Sequence, residues 1–391
     1  MRSFRGVKRK VGIALIAAIA AFAIVTGWSY AHAITAPGTD SLQAKSVEWV
    51  RSHGGSGIVR WVENEWYSHH QPPKGGRANV AVATHKATPF SSANFAHVSH
   101  LPVPSAVHPI VTPAIDGEGQ WTPVGRLVGG IPAVYTTYLR PDPVHTSLVT
   151  GVAWMDTKLL RATLFSGIDV PGATGFKNMA PPTADQAGQL VAQFNSGFRM
   201  QDSDGGYYSE GRLIYTMRPG AASLVIYDNG DVTVAKWGRD STMTPDVASV
   251  RQNLDLIIDG GHLVAGLQSD TTGKWGATLG NQILVWRSGV GVTADGALVY
   301  AGGPGLSVYT LANVLLHAGA IRAMEMDINT YWVDYFFFSP LPGKLAAPAN
   351  GTKLLSSMTG SPQRYFEPSS RDFISMSADP QPTGTTTAAH R

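Results

Sequence analysis

The sequence predicts an α+β domain of mixed, largely antiparallel sheets with a few packed helices, preceded by an N-terminal membrane helix. Three observations carry that expectation. Short β-rich apolar runs between Gly, Asp and Pro turns recur from residue 121 onward. Helical spacing of apolar residues is confined to a few brief stretches. An uncharged run, Val11 to Trp28, follows a basic start.

Taken in order, Arg2, Arg5, Lys8, Arg9 and Lys10 precede that run. At the helical rise it spans about 27 Å, enough for a bilayer core. The expected location is the cell membrane: a single pass, the N-terminus cytoplasmic and the bulk of the chain extracytoplasmic. The alternative is secretion after cleavage near Ala33, where Ala31-His32-Ala33 has the small residues a signal peptidase needs. Residues 1–33 are thus an anchor or a signal peptide. Residues 34–70 read as two short amphipathic helices around Gly54-Gly55-Ser56-Gly57. Residues 71–120, rich in Pro, Ser and Ala with a poor apolar period, read as a linker or draped segment that the following domain does not need for folding.

Composition narrows the function classes. Without the five leading cations, 25 basic side chains face 27 acidic ones, so no basic stripe remains and no nucleic-acid partner is expected. The absence of cysteine excludes disulfides, thiolate nucleophiles and cysteine-based zinc sites. No metal ligand set is recognised, and a cofactor is not specified by any motif.

The folded domain is expected over 121–374. Leu127 to Ile131, Ala133 to Leu139, Ser147 to Met155 and Leu159 to Gly167 are β-like. Thr183 is an N-cap for a short helix, which feeds a strand ending at Asn195. The Asn195 to Gly197 turn presents a side-chain amide and backbone N–H groups, suited to a sugar hydroxyl or a phosphate, or it is a plain turn. Ala222 to Tyr227 and Val232 to Trp237 form a hairpin. Leu254 to Ile258 is a buried strand entering an Asp259-Gly260-Gly261 turn. Residues Arg364 to Phe373 add an edge segment, and 375–391 read as a disordered tail.

The most informative stretch is Asn281 to Phe338. Two short runs, Ile283 to Trp286 and Ala297 to Tyr300, flank an Asp295-Gly296 turn and predict a hairpin. Gly302-Gly303-Pro304-Gly305 reads as a breaker. Ser307 then caps a helix carrying Val308, Leu311, Ala312, Leu315 and Leu316 at helical spacing, and Gly319 ends it. In the run that follows, Glu325 and Asp327 share one face of a strand. Two carboxylates that close can differ in protonation, as glycoside-cleaving sites require, or can simply face water.

These segments resemble the phosphodiester glycosidase family. Asn195-Ser196-Gly197-Phe198 matches its early Asn-Gly-Gly-Phe-Phe-like turn. Arg287-Ser288-Gly289-Val290-Gly291 matches its Arg-Thr-Ala-Ile-Gly-like strand, and Gly305-Leu306-Ser307-Val308 the start of its helix. Met326-Asp327-Ile328-Asn329 stands where the family has Leu-Asp-Gly-Gly, so the glycines are replaced. The resemblance covers roughly Trp121 to Phe338.

It implies an exported, membrane-anchored hydrolase that cleaves the glycosidic bond of a sugar-1-phosphodiester in envelope or extracellular glycans. Asp327 would serve as the catalytic carboxylate, with Glu325 as modulator or alternative base. Arg287 would bind phosphate, and Asn195, Gly197 and Asn329 the substrate. The implied partners are the sugar phosphodiester or glycan and, through the first helix, the membrane. The other expectation is a catalytically inactive relative that binds envelope glycans.

Overall fold

The computed structural model describes residues 2–78, 80, 99–269, 273–276 and 284–379. The chain divides into two compact units, 1–63 and 64–391. The first contains helix α1 (Arg2–Thr35), helix α2 (Leu42–Val50) and the start of helix α3 (Ser56–His69). Ser41 caps α2 by accepting the Ala44 N–H, and Gly54, at φ +86°, makes the break before α3. Within α1, Ile13–Thr35 has a mean hydropathy of 2.0 and is long and apolar enough to cross a membrane, a test that a signal sequence also passes.

The second unit opens with strands β1 (Thr122–Val128), β2 (Ile131–Leu139), β3 (Thr150–Met155) and β4 (Leu160–Phe165). Helix α4 (Ala184–Gln189), capped by Thr183, feeds β5 (Leu190–Asn195). After the single turn α5 (Met200–Ser203) come β6 (Tyr207–Ser209), β7 (Arg212–Tyr215), β8 (Ala222–Tyr227), β9 (Val232–Lys236), β10 (Val247–Gln252), β11 (Leu256–Asp259) and β12 (His262–Leu263). The last third holds β13 (Val285–Thr293), β14 (Leu298–Leu306), helix α6 (Val308–His317), β15 (Ala320–Glu325), β16 (Tyr335–Phe338), β17 (Gly351–Lys353) and β18 (Phe373–Ala378).

These strands form an eight-stranded sheet, β1-β2-β3-β14-β13-β15-β11-β12, and two five-stranded ones, β7-β6-β10-β8-β9 and β17-β16-β5-β18-β4. Every pairing within them is antiparallel. The expected α+β class, with largely antiparallel sheets and few helices, is the one observed. Strand alternation gives the large sheet two apolar faces. Val299, Ala301 and Ala323 pack under Leu311, Ala312 and Leu315 of α6. Tyr300, Val290 and Met324 face the smaller sheets through Phe194, Ile374 and Leu224. Gly289 lets α6 sit close, because a Cβ there would stand 3.0 Å from Leu315 Cδ1 and 3.0 Å from the Met324 carbonyl oxygen.

The structure redraws three boundaries. Gly302-Gly303-Pro304-Gly305 does not break β14 but lies inside it. A Cβ on Gly303 would meet the Val149 carbonyl oxygen at 2.9 Å, so glycine there marks close approach of the neighbouring strand. Of the segment Arg364 to Phe373 expected at an edge, only Phe373 is in a strand, β18, which is not at an edge. It lies between β5 and β4, and Ser375 to Ala378 belong to it rather than to a tail, whose residues 380–391 lie outside the described residues.

The segment expected as a linker is draped along 99–120. Leu101, Val107 and Val111 are buried, and Glu118, 3% exposed, pairs with Arg140 at 2.8 Å. Its apolar residues are too widely spaced to show a period, yet these three are buried while Val103 stays exposed. The part of the expected linker at 79 and 81–98 lies outside the described residues.

Candidate active site

The site lies where β5 and β15 end. Asn195, the last residue of β5, is 4% exposed and its amide is fully engaged. Its Nδ2 donates to Ser288 Oγ at 3.0 Å and to the Ser196 carbonyl at 2.9 Å. Its Oδ1 accepts from the Tyr300 hydroxyl at 2.9 Å and from the Asp334 N–H at 3.2 Å. Burial holds the Tyr300 phenol well above its ordinary pKa, so it stays a donor. Asn195 therefore acts as a knot that fixes the Ser196-Gly197 turn, and its amide is not aimed at substrate.

The same Ser288 hydroxyl accepts the Asp327 N–H at 3.2 Å, and the ladder continues past β15 through Met326 N–H to Ser288 O at 2.8 Å. Asn253 clamps the two chain ends together. Its Nδ2 donates to the Glu325 and Met326 carbonyls at 2.7 and 2.9 Å, while its Oδ1 accepts the Phe198 N–H at 3.3 Å. Gly197 lies close against this clamp, where a Cβ would stand 3.0 Å from Asn253 Cγ. The turn and the acidic strand end, 130 residues apart in sequence, thus meet. Residues 186–327 match the phosphodiester glycosidase family model.

Asp327 is the last residue of that phosphodiester glycosidase match. Its Oδ1 accepts the Ile328 N–H at 2.8 Å and its Oδ2 accepts from Arg371 Nη2 at 2.9 Å. Arg371 also donates to the Gly197 carbonyl at 3.2 Å, joining turn and carboxylate. A narrow pocket is lined by Asn195, Ser196, Gly197, Asp327, Trp332, Arg364, Tyr365, Ser369, Arg371 and Asp372. The guanidiniums of Arg364 and Arg371 lie 5.0 and 4.8 Å from the Trp332 ring. Asp334 anchors this side by accepting from Arg364 and, at 2.7 Å, from Tyr365, whose phenol pKa is raised by burial and then by Asp334.

Of the six residues expected in the site, Asn195, Gly197 and Asp327 line the pocket; Arg287, Glu325 and Asn329 do not. Glu325 was expected beside Asp327 on one strand face. It lies on the face that α6 covers, fully buried and ion-paired to Arg287, which is 1% exposed. Arg287 Nε is bonded to the Leu306 carbonyl at 2.9 Å. Asp327 has passed the end of β15 and reaches the pocket instead. Asn329 shapes the turn that presents Trp332, its Oδ1 accepting the Tyr331 N–H at 2.9 Å and its carbonyl the Trp332 N–H at 2.9 Å.

The sequence reading missed Arg371, Asp372, Trp332 and Asn253. Ser369-Ser370-Arg371-Asp372 reads locally as a polar loop, and only the burial of the strand it enters shows otherwise. Among the described residues no cluster of His, Asp or Glu with the grouping of a metal site occurs.

No curated protein matches the chain in sequence. Among solved structures, the zebrafish N-acetylglucosamine-1-phosphodiester alpha-N-acetylglucosaminidase catalytic domain, auto-inhibited by its pro-peptide, is similar at 15% identity and a TM-score of 0.39, over 63% of this chain and 81% of that one. A hypothetical protein from Synechocystis is similar at 13% identity and a TM-score of 0.34, over 66% and 64%. A putative exported protein from Burkholderia pseudomallei K96243 gives 13% and 0.32, over 60% and 75%.

Proposed function

We propose that this chain is an exported, membrane-anchored hydrolase that cleaves the bond between a sugar's anomeric carbon and a phosphodiester oxygen. One observation carries the reading: the matched family segment ends at Asp327, and that carboxylate meets the Asn195-Ser196-Gly197 turn and Arg371 in one pocket.

The chemistry follows from the residue types. A phosphomonoester leaves far more readily than a sugar alkoxide, so little general-acid help is needed. The site must supply positive charge to the phosphate and a carboxylate to the oxocarbenium-like transition state or to an attacking water. Asp327, fixed by two hydrogen bonds, is the carboxylate. The phosphate role passes from Arg287 to Arg371, whose guanidinium fork has donors enough for a carboxylate and a phosphate together, with Arg364 adding positive charge alongside. Glu325 is then a structural partner of Arg287 rather than a base. The basic start and apolar helix α1 support export and anchoring.

The test is incubation of the full chain with a panel of sugar-1-phosphodiesters, following release of reducing sugar and phosphomonoester together. Release of both supports the reading. A second reading, a glycan-binding relative, is favoured by Ile328-Asn329 in place of the family's glycines. It predicts saturable glycan binding with neither product released.

A further inference from the structure

Two side-chain oxygen atoms of pocket-lining residues have no hydrogen-bond partner among the described residues: Asp372 Oδ1 and Ser196 Oγ. Both side chains line the pocket, and both residues are 2% exposed. They are neighbours in space, since the Ser196 N–H approaches the Asp372 carbonyl at 3.4 Å. The other carboxylate oxygen, Oδ2, accepts from Arg251 Nε at 2.7 Å, and Arg251, 1% exposed, is held in turn by the Gln252 and Phe198 carbonyls. Arg251 therefore fixes the carboxylate while leaving Oδ1 directed elsewhere. A buried carboxylate oxygen left unmatched is costly, so the fold tolerates it where something else supplies a donor.

We infer that Asp372 and Ser196 form the sugar-hydroxyl subsite of the pocket and determine which sugar is accepted. The inference rests on the proposed phosphodiester reading and deepens it. A carboxylate oxygen accepts and does not donate, so it takes a hydroxyl or amide N–H and rejects a phosphate oxygen. Ser196 Oγ can donate to or accept from the same hydroxyl or its neighbour. The charges divide the substrate: phosphate toward Arg371 and Arg364, the sugar ring toward Asp372. Deleting the one hydroxyl that meets Asp372 removes a hydrogen bond to a charged group, a loss of about 10- to 150-fold in kcat/KM.

The experiment uses the full chain and a series of sugar-1-phosphodiesters in which each ring hydroxyl in turn is replaced by hydrogen. One position is expected to show that loss. In Asp372→Asn its sensitivity collapses to within about 3-fold while the other positions keep theirs, the signature of direct coupling. Ser196→Ala, which leaves the Arg251 pair intact, should lower the same sensitivity and carries the test if Asp372→Asn does not fold. Equal sensitivity at every position, or a Ser196→Ala profile identical to the parent, overturns the inference.

A calorimetric arm separates this from catalysis, titrating free aldohexoses, their 2-acetamido and monodeoxy analogues, and inorganic phosphate. Sugar binding that Ser196→Ala weakens, with phosphate binding unchanged, sustains the subsite even if no diester is hydrolysed. Phosphate binding without sugar binding refutes the subsite and leaves the cationic half standing. Binding of neither refutes both.

Discussion

The pair Arg287 and Glu325 offers the sharpest separation between a structural and a catalytic role. Both side chains are essentially inaccessible, at 2% and 0%, and they are ion-paired beneath α6. Arg287→Met removes the cation and leaves the Glu325 carboxylate without it in an apolar layer. Breaking a buried pair in this way costs about 3 to 5 kcal/mol. For a domain of this size each kcal/mol lowers the melting temperature by about 2 to 4 °C, so a fall of about 6 to 20 °C is expected. Replacing both, as Arg287→Met with Glu325→Leu, removes the buried charge together with its Arg287 partner and should recover most of the loss. The assay is thermal and urea unfolding of the parent, the single variant and the double variant, with hydrolysis measured well below each midpoint. The double variant is expected to keep activity within about 10-fold of the parent, since neither side chain lines the pocket. An unchanged melting temperature in Arg287→Met, or a folded double variant with activity abolished, would refute the structural assignment and return both residues to the site.

Further outcomes follow from other contacts. A chain shortened to begin at Gly119 loses Leu101, Val107, Val111 and Glu118, leaving Arg140 without its partner; it should be less stable than one beginning at residue 99 by at least about 3 kcal/mol, and equal urea midpoints would contradict this. Asn253→Ala removes one of the links between the Ser196-Gly197 turn and the Asp327 strand; hydrolysis should drop about 10- to 100-fold against a stability loss of about 1 to 3 kcal/mol, and full activity would show that the clamp is dispensable. At the surface, the hydrogen bond from Arg239 lowers the Asp240 pKa to about 2, below its unfolded value. A depressed carboxylate pKa stabilises the fold above the unfolded pKa and loses that contribution as pH falls through the folded one. Arg239→Ala should therefore cost less than about 1 kcal/mol at neutral pH, given the exposure of the pair, and the difference should vanish as pH falls from about 4 to 2. A difference that persists at pH 2 would point to packing instead.

Elements framed by their own neighbours were legible in the sequence. Ser307 caps α6 and Gly319 ends it, and the Asp295-Gly296 and Asp228 to Asp231 turns close the two hairpins. The order of four motifs picked out Asn195, Gly197 and Asp327, which line one pocket; the roles assigned to them belong to the proposed function. What stayed hidden depends on the third dimension. Alternation along β15 shows that Glu325 and Asp327 leave the strand on the same side, but not that α6 covers one while the other passes the strand end. The Arg371–Asp327 bond joins residues 44 apart, and nothing in Ser-Ser-Arg-Asp marks it as the entry to a central strand. The draped segment 99–120 shows the same limit: isolated apolar residues are buried and leave no period to read.

The measurement that bears most directly on the account is hydrolysis of a sugar-1-phosphodiester by the parent chain and by Asp327→Asn, each checked for folding at the assay temperature. Asparagine keeps the shape and removes the charge that the transition state needs. The account predicts a fall of about 100- to 10,000-fold in kcat with the variant still folded. Near-parent activity in folded Asp327→Asn would contradict it and remove the carboxylate on which the proposed chemistry depends.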